Sequence, residues 1–321
     1  PWLKDLAGAE AVDNIDARAI FGNAGVEVVT PVLLDKRVEA LILLGEKLSG
    51  TNYTKDDIEL LDSLAINVGD ALLTMQFYEG SKEQERMRRE LEIARRIQLS
   101  TLPDELPEFP GIDVAAASTP ATEVGGDFYD FLGHHDAITF LVGDVSGKGT
   151  SAALYLSRIQ GIIRAIDSYS PSLWELFVRL NGQAFDSSER QAYLTLSALR
   201  LDMMRGSVAF LRAGHLPLLH FRASDSAVLQ RRPKGIGIGL DSSMFGENLE
   251  QESWPMESGD TFLLVTDGIT EAASPGGEQY GVDRLAALLK DIKKSVFSSV
   301  AEFSRSTEQL DDMTVLIVKL R

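Results

Sequence analysis

The feature that most constrains the fold is a series of short strand-like runs between Ile112 and the end of the chain. The runs are rich in branched and aromatic side chains, which are enriched in β-strands. They cover residues 113–117, 137–142, 192–201, 206–212, 216–221, 261–265 and 314–320. Helical patterns interrupt the series only at 151–166, 172–184 and 282–289. Because the strands are clustered and do not alternate regularly with helices, the sequence predicts an α+β fold with mainly antiparallel sheets.

The first part of the chain has a different pattern. Two strand-like runs, at 26–34 and 37–44, flank the polar pair at 35–36 and predict a β-hairpin. Thr54 and Asp57 then have the spacing of a capping box, with Asp in the place of Glu or Gln. Behind them apolar residues recur at steps of three and four, which predicts a long amphipathic helix.

A highly charged stretch at 81–90 follows, and it has no apolar stripe wide enough to cover a core. A sparser seam of Met87, Leu91, Ala94 and Gln98 continues at helical spacing. Two interpretations stay open, a solvated helix that joins two domains and a parallel coiled coil in a homodimer. Prolines at positions 103, 107 and 110 end the predicted helix.

The composition excludes several classes of protein. The 31 Lys and Arg against 48 Asp and Glu give a net charge of −17, which repels nucleic acid and anionic membrane surfaces. No apolar run approaches the ~20 residues that span a bilayer, so no membrane segment is predicted. Without cysteine the chain has neither disulfides nor thiolate metal ligands, which fits a cytoplasmic location. A bound metal would therefore use oxygen ligands or the four histidines.

Four aspartates stand beside strand-like runs: Asp127, Asp144, Asp267 and Asp311. Asp144 and Asp267 each follow an apolar run, and Asp127 follows two glycines that permit a close approach of backbone or ligand. Taken singly, each aspartate is also explained by a turn, since Asp-Gly at 267–268 is a common hairpin turn. Taken together, the carboxylates are costly to desolvate without a cation, and oxygen-only ligands favour Mg²⁺ or Mn²⁺.

Six ordered motifs carry a resemblance to a known family. They are Glu92-Ile93-Ala94-Arg95-Arg96-Ile97-Gln98 with Leu102-Pro103, Gly125-Gly126-Asp127-Phe128-Tyr129-Asp130, Gly143-Asp144-Val145-Ser146-Gly147-Lys148-Gly149, Ala213-Gly214-His215, Thr266-Asp267-Gly268 and Asp311-Asp312-Met313-Thr314. Over roughly 92–321 the chain resembles the SpoIIE/RsbU-type bacterial branch of the metal-dependent protein phosphatase (PPM) superfamily. Residues about 12–76 are similar, much less specifically, to the C-terminal half of a GAF sensor domain.

The resemblance implies three parts: a partial GAF domain of α/β type at 1–76, a helical linker at 77–103 and a phosphatase domain at 104–321. Because the chain starts at Pro1, within such a GAF domain, we expect it to be a piece of a longer protein. The phosphatase domain is expected to be an antiparallel β-sandwich flanked by helices. Two divalent ions, Mn²⁺ or Mg²⁺, would lie at one edge of it and share a bridging water or hydroxide.

Roles follow from the resemblance for the matching positions. Asp144 would bridge both ions and the Val145 carbonyl would bind one of them, while Asp127 would act mainly through metal-bound waters. Asp267 and Asp311 would complete the other site. Two cations would lower the pKa of the bridging water and stabilise the charge that builds on the phosphoryl oxygens during in-line attack.

Two features of eukaryotic relatives are missing. Those relatives have a phosphate-binding Arg shortly before the Asp127 position, whereas segment 121–124 contains no cation. They also have a His directly after the Val145 position, where this chain has Ser146, so metal-bound water is expected to protonate the leaving group. Lys148 is the nearest candidate phosphate contact, and the alternative is a solvated loop lysine.

Other polar residues receive structural interpretations. His215, between two strand-like runs, is interpreted as a turn-stabilising residue rather than a catalytic one. His134 and His135 are interpreted as parts of a surface loop rather than as a ligand pair. Arg212 replaces an Asn that is common in the family motif, and no function is assigned to it.

These features predict a metal-dependent serine/threonine protein phosphatase. By resemblance, its substrate would be a phosphorylated STAS-type anti-sigma-factor antagonist or a similar partner-switching protein. A GAF domain would regulate it through the dimeric linker, whose repacking would move the helix after Gly149. The alternative is a catalytically silent sensor or scaffold with the phosphatase fold, although the intact set of aspartates argues against it. A binuclear phosphodiesterase acting on small nucleotides also stays open.

Overall fold

The computed structural model describes residues 10–11, 25–34, 37–100, 102–103, 106, 108–122, 124–134, 136–167, 172–185, 192–290, 295–305 and 307–321. The chain divides into two compact units, Pro1–Arg89 and Glu90–Arg321. Across the described ranges, no helix combines the length and the apolar character that a membrane crossing requires.

The N-terminal unit contains a three-stranded sheet in the order β1-β2-β3. Its strands are β1 (Glu10–Ala11), β2 (Val26–Leu34) and β3 (Arg37–Gly45). The pairs β1–β2 and β2–β3 are antiparallel, so the predicted hairpin is confirmed, while its turn at 35–36 lies outside the described residues. The centre of β2 is buried, from Val28 to Val32.

Helix α1 (Lys55–Leu99) begins at the predicted capping box and ends before the proline-rich segment. The backbone N–H of Thr54 donates to Asp57 Oδ2 at 2.6 Å, and the N–H of Asp57 donates to Thr54 Oγ1 at 3.4 Å. The two residues thereby satisfy each other's free backbone donors at the helix start.

The apolar stripe in the first half of α1 is buried along one edge. Leu61 and Ala65 are buried there, whereas Leu64, Val68 and Met75 on the same predicted stripe are exposed. The N-terminal unit therefore covers a narrower face of the helix than the sequence pattern presents.

The C-terminal unit contains two five-stranded antiparallel sheets, in the orders β10-β9-β12-β13-β4 and β11-β8-β7-β6-β5. The strands of the first sheet are β4 (Ile112–Thr119), β9 (Leu218–Arg222), β10 (Ala227–Arg231), β12 (Thr261–Val265) and β13 (Met313–Leu320). Those of the second are β5 (Asp127–His134), β6 (Ala137–Val145), β7 (Leu194–Asp202), β8 (Ser207–Ala213) and β11 (Gln251–Pro255).

The two sheets pack face to face around a buried apolar layer that contains Phe140 and Phe210 from one sheet and Phe262 and Leu316 from the other. Helices cover both outer faces. They are α2 (Thr150–Asp167) and α3 (Leu173–Phe185) beside the second sheet, and α5 (Gly281–Lys290) and α6 (Val296–Ser304) beside the first. The expected antiparallel β-sandwich flanked by helices is confirmed.

In the described part of the C-terminal unit, three strands and two α-helices were not predicted from the sequence. Strands β5, β10 and β11 are edge strands, and each carries charged residues that break the apolar pattern. Strands β10 and β11 are partly exposed, whereas β5 is mostly buried. Helix α4 (Asp267–Thr270) is a single helical turn. The sequence analysis had considered a hairpin turn at Asp267 as the structural alternative to a functional role. In helix α6 the N-cap Ser295 accepts a hydrogen bond from the N–H of Ser298 at 3.1 Å, a local signal that the sequence prediction missed.

Candidate metal centre

Strand pairing brings two of the predicted ligands to one end of the second sheet. Asp127 on β5 lies directly opposite Asp144 on β6, and Asp144 lies opposite Thr195 on β7. Directly opposed residues point to the same face of a sheet, and that face alternates along a strand. Because Phe140 and Val142 point into the layer between the sheets, Asp144 also points to the inner face.

The first sheet supplies the other two aspartates at the same end of the sandwich. Asp267 follows the last residues of β12 and begins α4, and Asp311 lies two residues before β13. Thr266 joins the two sheets, because its Oγ1 donates to Asp127 Oδ2 at 2.5 Å and accepts from the N–H of Thr314 at 2.9 Å. All four predicted aspartates therefore gather around one sandwich end.

Asp312 is a site residue for which the sequence analysis assigned no role. Its side chain is buried, and its two carboxylate oxygens accept hydrogen bonds from backbone N–H groups, Oδ2 from Gly126 at 2.7 Å and Oδ1 from Ala121 at 2.8 Å. The carboxylate thus fixes the loop that carries Asp127. Its place directly after Asp311 is the only sequence signal for this role.

Gly126 lies against two predicted oxygen ligands, and its lack of a side chain leaves the space beside them free. A Cβ at this position would lie 2.6 Å from the Val145 carbonyl oxygen and 3.1 Å from Asp144 Oδ1. The Gly126 carbonyl in turn accepts the N–H of Val145 at 3.1 Å. Only a residue without a side chain permits this approach, so Gly126 keeps the Val145 carbonyl and the Asp144 carboxylate accessible.

The carboxylates repel one another. Burial first, and the charges of Asp267 and Asp311 next, raise the pKa of Asp144 to about 7. Burial also holds the pKa of Asp127 well above its usual range, with the charge of Asp144 adding to the shift. The pKa of Asp267 is raised by burial first and by Asp311 second. The cluster therefore has negative charge in excess, which a cation would neutralise.

The donor set fits a hard divalent cation, since it contains carboxylate and carbonyl oxygens and no sulfur. Among the residues that the structure describes, no three His, Asp or Glu side chains form a group that could hold an ion by themselves. Backbone oxygen such as the Val145 carbonyl, together with water, would have to complete the ligand shell.

Two residues beside the cluster have clear contacts. Lys148 Nζ lies 3.2 Å from Asp311 Oδ2 and donates to the Leu310 carbonyl at 2.8 Å. Ser146 is tied to Tyr193, because its Oγ accepts the N–H of Tyr193 at 2.8 Å and its N–H donates to the Tyr193 carbonyl at 2.9 Å. Lys148 thus lies at the metal centre, and Ser146 has a structural contact.

His215 is buried at the edge of the site. Its Nδ1 and Thr195 Oγ1 share a hydrogen bond of 2.8 Å, and burial lowers the pKa of its imidazole to about 4. A neutral, hydrogen-bonded imidazole agrees with the interpretation of His215 as a turn-stabilising residue. The side chains of His134 and His135 lie outside the described residues.

A cavity of about 320 Å³ opens next to the carboxylates. Asp144, Asp267 and His215 line it together with two cationic residues, Arg212 and Arg232. No function was predicted for Arg212, which takes a place commonly held by Asn in the family motif, or for Arg232, which stands in none of the six motifs.

Comparisons with known proteins agree with this architecture. The family model described as Stage II sporulation protein E (SpoIIE) matches residues 134–321, which is more than half of the chain. Phosphoserine phosphatase RsbU of Bacillus subtilis (strain 168) is 23% identical over 269 residues, 82% of this chain and 78% of the relative.

Solved structures show the same fold. The SiaA-PP2C domain of Pseudomonas aeruginosa has a TM-score of 0.65 at 23% identity and covers 74% of this chain and 99% of its own. The RsbU and RsbW domains of a Mycobacterium tuberculosis protein have a TM-score of 0.59 at 25% identity, with 69% of this chain and 63% of theirs covered. The family match and these relatives support a protein phosphatase, and the chain belongs to the SpoIIE family.

Proposed function

We propose that this protein is a serine/threonine protein phosphatase that requires two divalent ions, Mn²⁺ or Mg²⁺. The observation that carries the proposal is the gathering of Asp127, Asp144, Asp267 and Asp311 at one sandwich end, with pKa values raised by burial and mutual repulsion in three of them. In a family that contains phosphoserine phosphatases, such an oxygen-only cluster is suited to phosphoryl transfer to water.

The residues have distinct tasks in this proposal. Asp144 and the Val145 carbonyl hold the ions from β6, Asp267 and Asp311 hold them from the first sheet, and Asp127 acts through water. When bound, the divalent ions activate water as the nucleophile and neutralise charge on the phosphoryl group. The leaving alcohol receives its proton from water, because the position after Val145 is Ser146, whose alkyl hydroxyl is too weak an acid to take the place of a His.

The proposed substrate is a phosphorylated STAS-type antagonist of an anti-sigma factor, or another partner-switching regulator. Support comes from the family match and from the similarity to RsbU, a phosphoserine phosphatase. The competing function is a catalytically silent scaffold. It is disfavoured because all four aspartates are present, and a scaffold that binds no cation would gain nothing from carboxylates that repel one another.

We also propose that residues 1–76 are part of a GAF sensor domain, that 77–103 form a linker, and that the linker pairs in a homodimer to control the phosphatase domain at 104–321. A direct contact supports control through the linker. Gln98, near the end of α1, is buried, and its side-chain amide binds the Gly125 peptide at both ends. Its Nε2 donates to the Gly125 carbonyl at 2.5 Å, and its Oε1 accepts the Gly125 N–H at 3.1 Å.

This contact gives the linker a short route to the metal centre, since Gly125 is two residues before Asp127. Repacking of the linker would move the loop that Asp312 also holds. Crosslinks that fix the linker at Leu91 or Ala94 are expected to change turnover, and unchanged turnover in the locked protein would count against this regulation.

The activity is tested by phosphate release from p-nitrophenyl phosphate and from a phosphoserine peptide, with Mn²⁺, with Mg²⁺ and with EDTA. Asp267→Asn is compared with the matched control Asp283→Asn, an exposed residue in the first turn of α5. We expect metal-dependent turnover that Asp267→Asn abolishes and Asp283→Asn retains. Divalent-metal binding without turnover would indicate an inhibited or substrate-selective enzyme, and absence of both would refute the proposal in favour of the scaffold.

A further inference from the structure

The cavity beside the metal centre has a cationic side that the predicted ligands do not explain. Arg212 stands near the end of β8, where it pairs with Ser197 of β7, and Asp144 pairs with Thr195 of the same strand. Positions 195 and 197 share one face of β7, so Arg212 and Asp144 belong to the same inner face of the sheet. Two strand spacings, about 10 Å across the sheet, separate their strands.

The Arg212 side chain is held in place but not charge-paired. Its Nη1 donates to the His215 carbonyl at 2.6 Å, while its Nε is buried and has no hydrogen-bond partner among the described residues. No described carboxylate forms an ion pair with Arg212 or Arg232. Neighbouring arginines differ, since Arg231 pairs with Glu252 and stacks on Trp254.

The half-buried guanidinium of Arg212, which has no carboxylate partner among the described residues and lies near the cation Arg232, favours binding of an anion at this cavity. Burial first, and the charge of Arg232 second, lower the pKa of Arg212 below its usual range, so the two cations repel each other. In a chain with net charge −17, carboxylate partners are abundant, yet none is placed against this pair in the described part of the chain. A planar guanidinium also matches the oxygens of a phosphoryl group in bidentate fashion.

We propose that Arg212 and Arg232 form the phosphate-binding subsite, in which their guanidinium groups bind the phosphoryl oxygens of the substrate while Asp144 and Asp267 hold the ions on the other side of the same cavity. This inference rests on the proposed phosphatase function. It assigns phosphate binding to these two arginines, because segment 121–124, where eukaryotic relatives have a phosphate-binding Arg, contains no cation. Lys148 is separately engaged with Asp311 and the Leu310 carbonyl.

The size of the cavity agrees with this assignment. Its volume of about 320 Å³ lies at the lower end of the range for ligand sites, roughly 300–1,000 Å³, and leaves room for one phosphorylated side chain. Arg212 is the half-buried, fixed member of the pair, and Arg232 is the exposed one. We therefore expect Arg212 to contribute more to phosphate affinity than Arg232, because its guanidinium is already ordered.

The experiment compares Arg212→Met and Arg232→Met with the control Lys234→Met, an exposed cation that pairs with Glu250 at 3.3 Å. Calorimetry with inorganic phosphate on the Mn²⁺-loaded full chain measures affinity, and steady-state kinetics on a phosphoserine peptide measure KM and kcat. We expect the phosphate Kd to rise at least tenfold for Arg212→Met, about threefold to tenfold for Arg232→Met and less than twofold for the control. Urea unfolding checks that each variant is folded.

The outcomes separate the two proposals. Unchanged phosphate affinity in folded Arg212→Met and Arg232→Met overturns the subsite, whether or not the native chain hydrolyses phosphopeptide. Weakened phosphate binding with no turnover in the native chain supports the subsite and removes the proposed activity. If the variants raise KM only for peptides with acidic residues beside the phosphoserine, the pair binds flanking carboxylates and the subsite is refuted. Should Arg212→Met fail to fold, the exposed Arg232→Met decides the question.

Discussion

The close approach of Gly126 to the Val145 carbonyl and the Asp144 carboxylate allows a direct test of where the proposed metal centre lies. In Gly126→Ala the new Cβ would lie 2.6 Å from the Val145 carbonyl oxygen, whereas a relaxed carbon–oxygen contact is about 3.3 Å. The backbone must therefore shift by roughly 0.7 Å, and overpacking of this kind costs about 1–3 kcal/mol of folding free energy. Metal sites tolerate deviations of only about 0.2 Å in their ligand distances, so the same shift impairs binding of an ion by Val145 and Asp144.

Gly133→Ala is the matched control, because Gly133 lies in β5, the strand that begins directly after Gly126, and a Cβ there meets nothing within 4 Å. Calorimetry with Mn²⁺ and urea unfolding in EDTA measure the two effects separately. We expect Gly126→Ala to weaken Mn²⁺ binding at least tenfold, which is about 1.4 kcal/mol, and Gly133→Ala to leave it unchanged. Equal Mn²⁺ affinity in both folded variants would show that the Val145 carbonyl and Asp144 are not ligands.

Three further predictions concern single contacts. Gln98→Ala removes two hydrogen bonds to the Gly125 peptide and is expected to lower the free energy of unfolding by about 1–3 kcal/mol and to change kcat. Urea titration and phosphatase assays would measure the two effects. An unaltered kcat would show that this contact does not couple the linker to the site. Lys148→Met removes a solvated ion pair with Asp311, so the free energy of unfolding should change by less than about 1 kcal/mol. Because Asp311 loses a competing cation, calorimetry should show tighter Mn²⁺ binding, and weaker Mn²⁺ binding would contradict this prediction. Burial lowers the pKa of His215 to about 4, so between pH 6.5 and pH 4 the unfolded chain binds a proton that the folded chain does not. The free energy of unfolding should therefore fall with falling pH, by up to about 1.4 kcal/mol per pH unit in urea titrations. The same pH dependence in His215→Gln would show that His215 does not cause it.

In the C-terminal unit the sequence predicted the central strands, whereas it missed three of the four edge strands, β5, β10 and β11. A central strand such as β12 is buried along its whole length and leaves a continuous apolar run. An edge strand such as β10 has one half-solvated side, and its residues are only partly buried, so its pattern resembles a loop. Strand β5 was missed for another reason, since Asp127 and Asp130 interrupt its apolar run although both side chains are buried.

The predicted aspartates were identified by local context, since each stands next to a strand-like run or a pair of glycines. The residues that hold them in place were not identified, because their partners are distant in the sequence. Thr266 binds Asp127 across 139 positions, and Asp312 binds Gly126 across 186. Such pairs depend on the register of strands from two different sheets, and no local pattern in one sequence encodes that register.

The origin of the four proposed site aspartates in both sheets has a consequence for stability. Asp127 and Asp144 come from the second sheet, while Asp267 and Asp311 come from the first, so their repulsion acts directly between the two layers of the sandwich. An ion bound between them would replace this repulsion with attraction at the sandwich end, and its binding free energy would then add to the free energy of folding.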